Sequence, residues 1–185
     1  MGILNDMSGG EKKESWVTFL ALTTAILAVL AAVTTMFMGK YSTRTVLLQA
    51  QESDQWAYYQ AKSIKGHTYE IQKQKIELEL LQATGISSAA RDTIEAVLDK
   101  YGANISRYDK EKEEIKTKAE ALAVEKAQAQ ERSANLSYSL IFLQIAIVLS
   151  SVAAITKKKP LWYVGLIVAA GWIFFFFNAF YLFYA

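Results

Sequence analysis

The chain has 185 residues, a formal net charge of +2 at pH 7 and no cysteine. The missing cysteines exclude disulfides, thiol catalysis and thiolate metal sites, and the near-zero charge gives no concentrated basic face for nucleic acid. The apolar residues form three blocks without Asp, Glu, Lys, Arg or His, at 17–38, 136–155 and 161–184. Each is about 20 residues long, which is enough to cross a hydrocarbon layer about 30 Å thick. The sequence therefore predicts an all-α membrane protein with three transmembrane helices.

The N-terminal region divides into a tail and a first span. Residues 1–15 contain Ser8-Gly9-Gly10 and no apolar periodicity, so we predict a flexible tail. Transmembrane helix 1 is predicted at 16–38. Its apolar stretch is about twice as long as the hydrophobic region of a signal peptide, which favours a retained anchor.

Residues 39–134 differ sharply from the spans because they are rich in charged residues, Ala, Gln and Leu, and contain no proline. Such a composition is typical of long helices. The strongest interruption lies at 84–88, where Gly85 can close one helix and Ser87 or Ser88 can cap the next. We predict a long antiparallel coiled-coil hairpin that continues the first two spans and projects about 65 Å from the membrane.

Apolar residues recur at heptad spacing in both arms of the hairpin, which indicates a coiled-coil seam. A turn near residue 86 brings one such line of each helix face to face. The predicted seam consists of Ala50, Ala57, Ile64, Ile71, Leu78, Ile94, Leu98, Tyr101, Ile105, Tyr108, Ile115 and Leu122. His67 falls in the same predicted seam; with no second ligand beside it, we interpret it as a tolerated polar residue.

A second group of large side chains falls outside the predicted seam. A hairpin of two helices cannot bury a second apolar face by itself, so such residues indicate a partner, most simply another copy of the chain. The predicted partner contacts are Trp56, Tyr59, Tyr69, Ile76 and Leu80.

The C-terminal region is predicted to contain transmembrane helix 2 at 135–156, a basic loop at 157–160 and transmembrane helix 3 at 161–184. The lysines of the short loop place it and the N-terminus in the cytoplasm, and the hairpin and C-terminus outside, by the positive-inside bias. Basic residues that flank the spans on the hairpin side oppose this orientation.

The spans contain few polar groups, notably Gln144 and Asn178, and no Asp, Glu, Lys, Arg or His. Proton relays and transport pathways usually require ionisable residues, so we interpret the two amides as helix-to-helix hydrogen-bonding groups. The third span is rich in aromatic residues, which contact either lipid or another subunit. Gly165, Ala169 and Gly171 would allow the close approach of such a subunit.

Two stretches carry a resemblance to a known family. The segments LALTTAILAVLAA at 20–32 and SDQWAYYQAKSIK at 53–65 resemble domain-of-unknown-function family 4337, a bacterial membrane protein family. The resemblance implies an N-terminal span, a helical middle, two C-terminal spans and a location in a bacterial inner membrane. It implies no catalytic residue.

No constellation of nucleophile, base and orienting group is recognisable, and no phosphate-binding loop or metal motif occurs. We therefore expect no enzyme activity, cofactor or metal.

The leading hypothesis is a homo-oligomeric membrane scaffold or interaction protein whose partners are itself, the lipid bilayer or another membrane protein, but not nucleic acid. The alternative is an oligomeric channel or an accessory subunit of a membrane transport or respiratory complex. Such a channel would be lined partly by Thr23, Thr24, Ser150 and Ser151.

Overall fold

The computed structural model describes residues 3–183, with side chains from Trp16 onward. Within this range the chain forms three α-helices and no strand: α1 (Ile3–Gln82), α2 (Ser88–Thr156) and α3 (Lys159–Tyr181). The all-helical prediction is confirmed, as is the packing of two long helices as a hairpin. Each helix contains a segment that is long and apolar enough to cross a membrane.

The N-terminal boundary of α1 differs from the predicted one. The helix begins at Ile3, so the backbone is helical through residues for which a flexible tail was predicted. Adding residues to an existing helix avoids the cost of nucleation, and Glu11–Glu14 are all good or moderate helix formers. These two factors oppose the cost of Gly9 and Gly10, about 1 kcal/mol each relative to alanine.

The turn between α1 and α2 follows from two residues. Gly85 has φ +86°, a left-handed conformation that glycine adopts without a Cβ clash. The backbone N–H of Ala90 donates to Oγ of Ser87 at 3.3 Å, so Ser87 caps the start of α2. The helices therefore reverse direction within a few residues.

The chain divides into two compact units. One consists of Val46–Lys126 and contains the hairpin of α1 and α2. The other consists of Met1–Thr45 and Ala127–Ala185 and contains the three apolar segments at 17–38, 136–155 and 161–184, which we call the candidate membrane spans. Its core includes Leu27 and Leu143, against which Ala169 and Trp172 pack.

Helices α2 and α3 approach each other closely through glycine. A Cβ atom at Gly165 would lie 3.3 Å from the carbonyl oxygen of Ala146, and one at Gly171 would lie 2.7 Å from the Phe142 ring. The small residues of α3 thus serve packing inside the chain. This corrects the expectation that they allow the close approach of another subunit.

The ends of α3 also differ from the predicted span at 161–184. Pro160 stands in its first turn, where a missing backbone N–H costs nothing, so the helix already begins at Lys159 and the basic loop is shorter than predicted. The helix ends at Tyr181 because Leu182 turns to the left-handed conformation with φ 50°.

Candidate interaction surface

The inner face of the hairpin is built largely from tyrosine. Tyr69 of α1 lies between two tyrosines of α2, with ring centroids 5.4 Å from Tyr101 and 5.9 Å from Tyr108. Gly66 is buried beside them, and a Cβ there would be in ordinary van der Waals contact with Tyr108 at 3.7 Å. Aromatic pairs at these distances contribute about 0.5–1.5 kcal/mol beyond burial. The tyrosine cluster therefore fixes how α1 is rotated against α2.

Ion pairs join the same two faces. Lys62 of α1 contacts Glu111 of α2 at 2.6 Å, and Lys126 of α2 contacts Glu52 of α1 at 2.6 Å. The hydrogen bond between Lys62 and Glu111 lowers the pKa of the Glu111 carboxyl and raises the pKa of Lys62. The hydrogen bond from Lys126 likewise lowers the pKa of Glu52. Each pair favours a single axial register of the two helices.

The α2 half of the predicted seam faces α1, whereas the α1 half does not. Tyr108 and Ile115 are buried, and the other predicted α2 residues are half-buried. On α1, by contrast, Ile64, Ile71 and Leu78 are 67%, 65% and 58% exposed. The remaining predicted α1 seam residues, Ala50 and Ala57, are exposed as well. The prediction was wrong for α1 because this helix carries two heptad lines. The second, which we call the inner line, faces α2 and combines tyrosine and charged residues with aliphatic ones such as Ile76 and Leu80.

The predicted partner contacts are corrected in the same way. Tyr59, Tyr69, Ile76 and Leu80 are half-buried on the inner face of the hairpin. Trp56 is the exception: it remains 37% exposed and contacts Tyr59 edge to face, with centroids 5.7 Å apart.

The exposed face of α1 carries a regular pattern that we call the outer line. Its members are spaced alternately four and three residues apart, which is the spacing of a coiled-coil seam. Every one of them is exposed. The outer line comprises Val46, Ala50, Ser53, Ala57, Gln60, Ile64, His67, Ile71, Gln74, Leu78 and Leu81.

His67 belongs to this outer line and not to the inner face. Its Nδ1 lies 2.8 Å from the Glu70 carboxylate, and its side chain is 64% exposed. Among the residues that the structure describes, no group of three or more His, Cys, Asp or Glu side chains could hold a metal ion.

In the unit with the candidate spans, polar side chains join helices to one another. The indole N–H groups of Trp162 and Trp172 donate to the hydroxyls of Thr23 and Thr34 at 3.1 and 3.0 Å. These bonds hold α3 against α1 at two levels. These bonds could not be predicted from the sequence positions of the tryptophans and threonines, because the pairing depends on how each helix is rotated about its axis.

The two predicted intramembrane amides have different surroundings. Asn178 is buried, and its Nδ2 donates to Oδ1 of Asn135 at 2.9 Å. Gln144 is exposed on α2. Arg132 lies near the Asn178 end of α3 and donates to the carbonyl oxygen of Phe180 at 2.9 Å. A cation there suits the negative end of the helix dipole.

The four hydroxyl side chains named as channel lining do not share one face. Thr23 accepts the bond from Trp162, and Ser150 is fully buried. Ser151 is exposed, and both Thr24 and Ser151 donate to carbonyl oxygens of their own helices, those of Leu20 at 2.8 Å and Ile147 at 2.9 Å. Within one chain they therefore form no common polar surface.

One comparison with known proteins finds a match. No curated protein and no solved structure matches the chain. The family model described as Domain of unknown function (DUF4337) matches residues 16–182. This range includes all three candidate membrane spans and the whole hairpin. The chain belongs to the DUF4337 family.

Proposed function

We propose that the chain is a homo-oligomeric membrane scaffold or interaction protein that presents its hairpin as a coiled-coil stalk. The observation that carries this proposal is the outer line of α1. A sustained heptad pattern with aliphatic residues, exposed along a charged hairpin, is typical of a surface that a further helix covers. A second copy of the chain is the partner that is always present.

The proposed location is a bacterial inner membrane crossed three times. The N-terminus and Lys157–Lys159 are cytoplasmic, and the hairpin and C-terminus are extracytoplasmic. The three apolar helices support a multi-pass protein, and the short lysine loop supports this orientation through the positive-inside bias.

The contacts inside the hairpin support a structural role. The pairs Lys62–Glu111 and Lys126–Glu52, together with the tyrosine cluster, favour one arrangement of the two helices. A stalk with a fixed internal register presents its outer face as a constant surface. A constant surface favours assembly with one defined partner, whereas an adaptable surface favours binding to several different partners.

The native mass of the gently solubilised complex tests the proposal. We expect a single species whose mass is an integer multiple of the chain, measured by native mass spectrometry. A monomer at every protein concentration would overturn the proposal. A stoichiometric second polypeptide would overturn self-assembly and make the chain an accessory subunit of that protein.

A further inference from the structure

We propose that two copies of the chain pair through the outer line of α1, with the two α1 helices parallel and in register. This inference rests on the proposed function and specifies its interface. The partner is a second copy in the same membrane, and α2 packs on the far side of each α1. Helix α1 would thus be shared between two seams, one within the chain and one between chains.

The heptad positions divide cleanly between these seams. Taking Ile64 as position a, the outer line occupies a and d along its whole length. The inner residues occupy c and f, among them Gly66, Tyr69 and Ile76. Residues at c and f point away from an a and d seam. A second copy can therefore bind the outer line without disturbing the contacts with α2.

The polar residues of the outer line favour the parallel, in-register arrangement. Gln60 and Gln74 both stand at position d, and a parallel pair places each of them opposite its own copy. An amide carries both donor and acceptor groups, so two glutamines can satisfy each other. An antiparallel pair would place them opposite aliphatic a residues, where a buried amide without a partner costs stability.

Charges beside the outer line also match in this register. Glu70 stands at position g, and Lys75 stands at position e of the next heptad. In a parallel pair, residues g and e of successive heptads face each other across the seam. Glu70 would therefore meet the lysine of the partner, and the two-fold axis repeats the contact. Within its own chain Lys75 contacts Glu79 only at 3.8 Å, and its side chain is 74% exposed. The side chain can therefore reach Glu70 of a second copy.

Trp56 acquires a role in the same arrangement. It stands at position g, beside the outer line, and position e of the next heptad is Ala61. A large aromatic residue would thus cover a small one of the partner. This explains why an exposed tryptophan lies on the hairpin at all.

The seam contains only a few large aliphatic layers, separated by polar ones. In free solution such a coiled coil would be weak. Confinement to one membrane raises the effective concentration of the two copies and gives both the same orientation. A weak seam therefore suffices, and α1 helices that continue from the same span run in the same direction.

Cysteine cross-linking in native membranes tests the geometry, since the unchanged chain has no cysteine. The single variants Ala50→Cys and Leu78→Cys stand about 42 Å apart along α1. A parallel, in-register pair brings each of them next to its own copy. Both should therefore form a disulfide-linked dimer, about tenfold or more faster than Val124→Cys, which is exposed on α2.

An antiparallel or shifted pair cannot bring both positions next to their own copies. Cross-linking at only one of them, or at neither, in a chain whose native mass shows a homo-oligomer would overturn this inference and leave the proposed function standing. A monomeric native mass would overturn both. Cross-linking of both variants to a heavier, different polypeptide would overturn the second copy as partner.

A charge exchange tests the register independently. In the Leu78→Cys background, Lys75→Glu should slow dimer formation several-fold, because it places two carboxylates opposite each other. Adding Glu70→Lys to the same chain should restore the rate. If the double variant stays as slow as Lys75→Glu alone, the proposed pairing of these two residues is wrong.

Discussion

Asn178 and Gln144 carry the same amide group but meet different surroundings. Asn178 is buried and hydrogen-bonded to Asn135, whereas Gln144 is exposed on its helix. Removing one partner of a buried hydrogen bond leaves the other unsatisfied, which costs about 1–3 kcal/mol. An exposed amide in an apolar environment, such as that of Gln144, contributes little to the stability of the fold. Replacing it with an apolar side chain removes the cost of desolvating the amide.

We therefore expect Asn178→Leu to lower the thermal stability of the detergent-solubilised chain and Gln144→Leu to leave it unchanged or raise it. The loss for Asn178→Leu should be about 1–3 kcal/mol. Circular dichroism during heating measures both variants beside the unchanged chain. Equal losses in the two variants would contradict the different roles assigned to them.

At the scale of the helix, α1 illustrates what a sequence can and cannot specify. Composition and local signals predicted the helices, and Gly85 and Ser87 lie in the turn where the signals place it. The rotation of α1 was predicted wrongly, because its two heptad lines fit a seam equally well by spacing. The aliphatic line with Ile64 and Ile71 is the more apolar of the two, yet it faces outward.

The inner line could have been found only by comparing the two helices. Tyr69 is a poor seam residue on its own, but it pairs with Tyr101 and Tyr108 across the hairpin. Lys62 is a poor seam residue too, until Glu111 lies opposite it. Complementary partners, rather than apolar periodicity, therefore decide which face of α1 is inside. Whether Asn178 and Gln144 are buried or exposed depends in the same way on how their helices are rotated about their axes.

The pair Lys62–Glu111 predicts how the hairpin responds to acid. Lys62 hydrogen-bonds to Glu111, and Arg107 at 3.7 Å and Lys65 add further positive charge. The pKa of Glu111 is therefore below its ordinary value of 4.5. A carboxyl group with a lowered pKa stabilises the folded state at pH values above its ordinary pKa. This contribution is lost as the pH falls below the ordinary pKa and through the lowered one. The lowered pKa of Glu52 acts in the same direction.

We expect the Tm of the solubilised chain to fall between about pH 5 and about pH 3, because folding then loses these ionised carboxylates. Glu111→Gln should show a smaller fall, since one of the responsible groups is gone. Glu113→Gln removes an exposed carboxylate from the same helix and is the matched control. Its Tm should fall with pH as much as that of the unchanged chain. The same pH dependence in all three proteins would exclude Glu111 as a contributor.

For the whole molecule, the proposed orientation predicts which parts a membrane-impermeant reagent reaches. Thr84→Cys lies in the turn of the hairpin, and Lys158→Cys lies in the basic loop. In spheroplasts we expect a charged maleimide to label Thr84→Cys and to label Lys158→Cys only after lysis. The reverse pattern would show that the hairpin is cytoplasmic.

Self-assembly through the exposed face of α1 is the central claim, and the native mass of matched variants tests it most directly. Ile71→Glu places a charge in the outer line, whereas Val124→Glu places one on α2 at a comparably exposed site, 59% against 65%. Native mass spectrometry should find the unchanged chain and Val124→Glu as the same homo-oligomer. The account predicts that Ile71→Glu dissociates to a smaller species while remaining helical. If Ile71→Glu keeps the mass of the unchanged chain, or if the unchanged chain is itself a monomer, the outer line is not the assembly surface.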